Sequence, residues 1–139
     1  MPSSPVIHPD HASRGSAAET RGVLVEVEPA YQASHSAPSL CRYIFSYRIK
    51  ITNHSGAPIR VMRRAWTIID ADGDTELVEG DGVVGQQPLI AAGESYDYAS
   101  WCQLETPWGT MEGSYELNDG SGNELFSVRI GRFFLVADA

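Results

Sequence analysis

Gly80-x-Gly82-x-x-Gly85 has the spacing of a dinucleotide fingerprint, in which glycines let the backbone approach a pyrophosphate and a following helix turns its N-terminus towards it. Here Gln86-Gln87-Pro88 leads into strand-like sequence instead of a helix, and Glu79 and Asp81 place negative charge where phosphate would sit. The spacing therefore predicts a bulged strand and a tight turn that use glycine's backbone freedom. A smaller anion site remains a candidate. Amides around Gly80, Gly82 and Gly85 could form a nest without a helix, provided that a basic side chain such as Arg64 closes it.

Asp70, Asp72, Asp74 and Asp81 can be counted onto the acidic positions of a calcium loop. Such a loop demands glycine at its sixth position and glutamate at its twelfth, where this chain has Thr75 and Asp81. A solvated hairpin turn is the expectation, with weak divalent-cation binding as the alternative. No metal site is expected elsewhere. His8 and His11 stand in a segment without periodicity, where ordering entropy opposes chelation, and Cys41 and Cys102 have no cysteine or histidine at chelating spacing. Two cysteines make no disulfide framework, so buried free thiols are expected.

Catalytic residues find no pattern. Gly120-Ser121-Gly122 reads as a turn and lacks the Gly-x-Ser-x-Gly of a nucleophile elbow. His54 has no identifiable nucleophile or carboxylate partner, and the spacing of Glu112 and Glu116 on a strand does not define a glycosidase pair. No catalytic residue, resident metal or cofactor is expected, and the chain is not read as an enzyme. Nine of its ten basic residues are arginine, a type suited to bidentate recognition of carboxylate or phosphate. Ordinary cross-strand pairing of Arg42, Arg48 and Lys50 with acids is the simpler expectation. Arg63 and Arg64 are consecutive, and so point to opposite faces, but the sequence does not say which. Trp66, Tyr96, Tyr98 and Tyr115 suit a core or sheet surface. Trp101 and Trp108, the latter between Pro107 and Gly109, are candidate anchors for a protein partner.

The elements that must hold these residues are strands. Tyr43, Phe45, Tyr47, Ile49 and Ile51 alternate with Arg42, Ser46, Arg48 and Lys50, and only Ile44 intrudes on the polar side, as in a strand with one buried face. Further strands are expected near Val23–Val27, Ile59–Ile69, Glu76–Val84, Glu94–Leu104, Met111–Leu117 and Glu124–Val136, separated by Gly, Asn and Asp clusters. No helix is evident. About seven strands without βαβ alternation predict an all-β, antiparallel β-sandwich of fibronectin type III or immunoglobulin kind. Cys41, Trp66 and Cys102 occur in immunoglobulin order, but Trp66 comes too late and Ser100 occupies the tyrosine-corner position, which favours a sandwich without a disulfide. Residues 1–20 read as a flexible N-terminal arm and residues 21–139 as one domain.

A net charge of -8 opposes whole-molecule attraction to nucleic acid or an anionic membrane. No apolar stretch is long enough to span a bilayer, and the first twenty residues lack a secretory h-region. A cytoplasmic location follows as the expectation.

Glu79-Gly80-Asp81-Gly82-Val83-Val84-Gly85-Gln86-Gln87-Pro88, with Leu89-Ile90-Ala91-Ala92-Gly93-Glu94 and Tyr96-Asp97-Tyr98 after it, resembles the central signature of the ApaG family. Arg64-x-Trp66, the alternating stretch from Tyr43 to Asn53, and Gly109-x-Met111-x-Gly113-x-Tyr115 match three further stretches. Ala92 replaces a frequent proline, and Trp101-Cys102 stand where small residues are usual. The resemblance implies a fibronectin type III-like sandwich and a non-enzymatic role in protein–protein interaction. It also implies a link to cobalt resistance and magnesium efflux, with relatives encoded beside dinucleoside polyphosphate hydrolysis and others within eukaryotic F-box and polymerase-interacting proteins. The expected partner is another protein, with self-association through a strand edge also open. The alternative is an accessory or sensor protein that binds phosphate, a nucleotide or a divalent cation through Gly80–Gly85 or Asp70–Asp74.

Overall fold

A computed structural model describes residues 14–120 and 125–138. The strands are β1 (Ser16–Thr20), β2 (Val23–Tyr31), β3 (Tyr43–Asn53), β4 (Ile59–Asp70), β5 (Thr75–Asp81), β6 (Leu89–Ile90), β7 (Ser95–Leu104), β8 (Trp108–Asn118) and β9 (Phe126–Val136). Every pairing between them is antiparallel. One sheet has the order β1-β2-β3-β7 and the other β5-β4-β8-β9, with β6 added to β4. The expected sandwich is present, and its seven strands are joined by β1 and β6.

Alternation sets the core. Phe45, Tyr47, Ile49 and Ile51 of β3 are buried and face the opposite sheet, where Tyr47, Trp66 and Phe133 pack with ring centroids 5.5 to 5.9 Å apart. Edge and tilted contacts of this kind add to the area term of aromatic burial. In β4 the register shifts between Val61 and Arg63. The extra residue, Met62, switches the parity of the strand, so that Val61, Arg64 and Trp66 face inward while Arg63 faces out. Arg63 then lies 3.9, 3.6 and 3.7 Å from carboxylate oxygens of Glu79, Asp81 and Glu116, exposed pairs that contribute little stability.

The two flanks of the sandwich differ. On one, β1 lies against β9: Ser16 Oγ donates to the Gly131 carbonyl (2.8 Å) and Arg129 N–H to Thr20 Oγ1 (3.1 Å). The side chains are small because a Cβ on Gly131 would already lie 3.3 Å from the Ser16 Cβ. That is why Ser16–Thr20, expected as irregular arm, form a strand whose sequence carries no hydrophobic alternation. Residues 1–13, with His8 and His11, lie outside the described residues, as do Ser121 and Gly122 of the expected turn. On the other flank no hydrogen bond joins β5 to β7 among the described residues.

Pro29 lies within β2, which was expected to end at Val27. The chain continues because Pro29 faces the β1 side, beyond the last β1 pair, Ser16↔Val27, where no N–H is needed. Cys41 also departs from expectation. It is exposed, with φ of 54° after a single-turn 3-10 helix (Pro38–Leu40), and both cysteines are free thiols.

Candidate functional site: the glycine hairpin, an acidic turn and two exposed tryptophans

β5 ends three residues earlier than its expected strand because the chain leaves extended conformation at Gly82 (φ 61°), Val84 (φ 48°) and Gly85 (φ 77°). Val83 and Gln86 exchange both backbone bonds, at 2.7 and 2.9 Å. Val84 and Gly85 are thus the centre of a type I′ turn, which needs positive φ at both positions.

Each glycine of the motif has its own reason. A Cβ on Gly82 would meet the Gln86 carbonyl oxygen at 2.0 Å, whereas one on Gly85 would meet nothing within 4 Å, so Gly85 supplies only its φ. Gly80 makes room for the Arg64 guanidinium, which a Cβ there would approach at 2.7 Å. Arg64 Nη1 donates to the carbonyls of Asp81 (3.0 Å) and Gly82 (3.1 Å).

The fold therefore brings Arg64 to Gly80 and Gly82. It also engages several of the loop's donors: Gly82 N–H donates to the Met62 carbonyl at 2.8 Å, and those of Val83 and Gln86 donate to each other's carbonyls. Arg64 Nη1 is directed at carbonyl oxygens. This geometry holds a hairpin closed.

Val84 is a β-branched residue in the left-handed region, a conformation that costs about 1–2 kcal/mol, and its side chain is exposed. Val84→Asn gives the Asn-Gly pair that type I′ turns favour. The expected result is a gain of about 1 kcal/mol, read as a Tm rise of roughly 4 °C by calorimetry. An unchanged or lower Tm would show that the valine side chain makes a stabilising contact.

Behind Arg64, the hydroxyls of Tyr98 and Tyr115 hydrogen-bond across the two sheets. Burial raises the pKa of Tyr47, Tyr98 and Tyr115, with the Arg64 charge opposing it. Burial likewise pushes the Cys102 thiol up to about 12, the Glu76 charge adding to the effect. All these groups are held neutral, which suits a structural network and not a nucleophile.

At the other end of β5, carboxylate oxygens of Asp70, Asp72 and Asp74 lie within 4.8 Å of one another. Asp70 Oδ1 accepts from the N–H of Asp72 (2.9 Å) and Asp74 (3.0 Å), the local bonding of an Asx-type turn. Asp81 is separated from this cluster by the length of β5, about 20 Å, so the calcium count does not close in space. Glu112 and Glu116 are each opposite an arginine, Arg132 (2.6 Å) and Arg63. His54 Nδ1 lies 3.8 Å from Glu19, both exposed. The register sets Lys50 opposite Glu26 and Asp97, and Arg48 opposite Glu28, yet none of these pairs closes to within 4.0 Å.

Trp101, on β7, and Trp108, at the start of β8, are 55% and 48% exposed. Among the described residues, Trp101 has one aromatic neighbour, the His35 ring, edge-on at 5.3 Å. Trp108 lies beside the acidic turn, since Gly109 pairs with Asp70 and Thr106 Oγ1 links the Ala71 N–H to the Trp108 carbonyl. Trp108 thus stands at the opposite end of β5 from the glycine hairpin.

The ApaG domain model matches residues 33–119. The chain belongs to the ApaG family. It is 46% identical over 116 residues to the ApaG protein of Rhizobium meliloti (strain 1021), covering 84% of this chain and 88% of that one. With the ApaG protein of Proteus mirabilis (strain HI4320) the identity is 49% over 113 residues, covering 81% and 90%. The crystal structure of the putative ApaA protein from Bordetella pertussis superposes with a TM-score of 0.78 at 43% identity, covering 82% of this chain and 92% of that one. Family and fold together make this an ApaG domain built as a β-sandwich.

The ApaG motifs have mostly architectural explanations here. Arg64 and Trp66 face inward, and Met111 and Tyr115 are buried while Gly109 and Gly113 admit neighbouring backbone. Sequence reasoning passed over Asn53, which is fully buried. Its Nδ2 donates to the Ala57 (2.7 Å) and Ile90 (3.0 Å) carbonyls, and its Oδ1 accepts from Ser55, which ties β3 to β6. An asparagine ending a strand of alternating apolar residues was the available signal.

Proposed function

We propose that this ApaG domain is a protein-binding module of the cytoplasm. The observation that carries it is the pair of large aromatic side chains, Trp101 and Trp108, left half exposed by a fold that buries its other tryptophan. Tryptophan is the residue type most enriched at interaction hot spots. Two free thiols, one of them exposed, suit a reducing compartment.

Affinity capture with the purified domain tests this. A stoichiometric partner is expected for the wild type, with capture lowered at least tenfold by Trp101→Ala or Trp108→Ala. Equal capture by both variants, or none by the wild type, would reject it.

The three clustered carboxylates favour a second role, weak divalent-cation binding, which would connect with the cobalt and magnesium link that the family resemblance implies. Millimolar Co²⁺ or Mg²⁺ would then raise the Tm, and Asp72→Asn would remove the rise.

A further inference from the structure

Sheets expose unpaired backbone at their edges, and natural proteins blunt those edges with charge, proline, bulges or covering segments. Three of the four strands that end the two sheets are blunted. β9 is covered by β1, which is itself only five residues long. β5 carries Glu76, Glu79 and Asp81 within seven residues, contains Gly80, and turns away at Gly82.

Among the described residues, nothing blunts the edge at β7. It runs for ten residues without proline, glycine or lysine, and its pairing with β3 shows no register shift. Its free groups can be assigned. Asn53 N–H donates to the Glu94 carbonyl and the Asn53 carbonyl accepts from Gly93 N–H on the β7 side, whereas the Ile44 carbonyl accepts from Gln32 N–H on the β2 side. By the alternation of an antiparallel ladder, even-numbered residues of β7 bond to β3. The amides and carbonyls of Ser95, Asp97, Ala99, Trp101 and Gln103 therefore point to the open flank.

We propose that β7 is a strand-docking edge, where an extended partner segment bearing lysine or arginine adds as the fifth strand of its sheet. The inference rests on the partner-binding function above and specifies its site and chemistry. Backbone bonding supplies the affinity in strand addition, and side-chain pockets supply the selectivity. Asp97 on the edge and Glu94 and Glu105 flanking it are exposed, and β7 has no basic residue. Arg48 and Lys50 stand one strand further in, on β3. Trp101 offers a face to an apolar or cationic side chain of the incoming strand. A second copy is less suited: it brings the same acids and a net charge of -8 against -8.

The probe is a capped peptide of eight alternating valine and lysine residues, titrated into ¹⁵N-labelled protein beside its valine–glutamate counterpart. The lysine peptide is expected to shift the amide signals of Asp97, Ala99 and Trp101, to slow their hydrogen exchange, and to bind at least tenfold more tightly than the glutamate peptide. Ala99→Pro removes one outward N–H without touching the β3 ladder and should weaken binding at least tenfold. Should that variant not fold, Asp97→Lys serves instead, and should reverse the preference between the two peptides.

Absence of binding, shifts centred on Glu76–Val78, or indifference to both substitutions would overturn the proposal. So would self-association, seen by sedimentation, that Ala99→Pro abolishes, since the occupant would then be a second copy. Partner capture separates this failure from the broader one. A partner retained by Ala99→Pro at wild-type yield rejects the β7 edge alone, whereas no partner for the wild type rejects protein binding itself.

Discussion

Gly113→Ala lowers the stability of the domain by about 3 kcal/mol, the upper end of what overpacking costs, and its Tm by roughly 12 °C in calorimetry. Gly113 sits in β8 between β4 and β9, opposite Trp66, next to a register shift in the β8–β9 ladder. A Cβ there would lie 2.0 Å from the Ala65 carbonyl oxygen and 3.2 Å from the Trp66 Cα. These are backbone atoms of a strand paired on both sides, so neither can swing aside as a flexible side chain would. Relief requires β4 and β8 to separate, which loosens the packing of Trp66 against Tyr47 and Phe133. Gly85→Ala is the control. It meets no neighbour within 4 Å and costs only the left-handed backbone, about 1 kcal/mol. Equal Tm shifts for the two variants would refute the steric account.

A second large effect is alkaline unfolding. Cys102 titrates at an ordinary 9.0 in an unfolded chain but at about 12 in the fold, because burial disfavours the thiolate. Tyr47, Tyr98 and Tyr115 are held above their ordinary 10.0, again chiefly by burial. A raised folded pKa means that the native state keeps its proton where the unfolded state has lost it. Stability from these groups is therefore complete below pH 9.0, and declines as pH rises through the window between unfolded and folded values. Each group contributes a slope of about 1.4 kcal/mol per pH unit. Cys102 acts first and the tyrosines join above pH 10.0, so the loss steepens there against a typical total stability of about 5–15 kcal/mol. The expected result is cooperative unfolding above pH 10, with a fraction of the tyrosinate absorbance appearing only as near-ultraviolet dichroism collapses. Tyrosinate absorbance that is complete near pH 10 with the dichroism intact would contradict this.

What the sequence made legible was whatever its periodicity and turn residues express. The inward set of β3 from Phe45 to Ile51 could be read directly, as could the turn character of Gly82–Gly85, because alternation and positive φ leave marks on residue type. Features that depend on a partner far along the chain left no such mark. β1 consists of serine, alanine, glutamate and threonine because β9 lies close to it, so it resembles irregular sequence. The faces of Arg63 and Arg64 depend on an extra residue at Met62, and nothing in Val61-Met62-Arg63-Arg64 announces a bulge. The hydroxyl contact between Tyr98 and Tyr115 is made between sheets, by strands that are not paired. The proposed docking edge has a legible half, the scarcity of charge in Ser95–Leu104, and an illegible half, its place at the border of a sheet.

The extra residue at Met62 also bears on how much the length of this chain can vary. Removing a residue from a regular strand inverts every side chain beyond the cut, core for surface. At a bulge the same deletion only restores even pairing, so loss of Met62 would leave Arg64 and Trp66 pointing inward. What would go is the Met62 carbonyl, which accepts from both the Gly82 N–H (2.8 Å) and Gln87 Nε2 (3.1 Å). That carbonyl is the mooring of the glycine hairpin, so a deletion silent for the core would set the hairpin adrift.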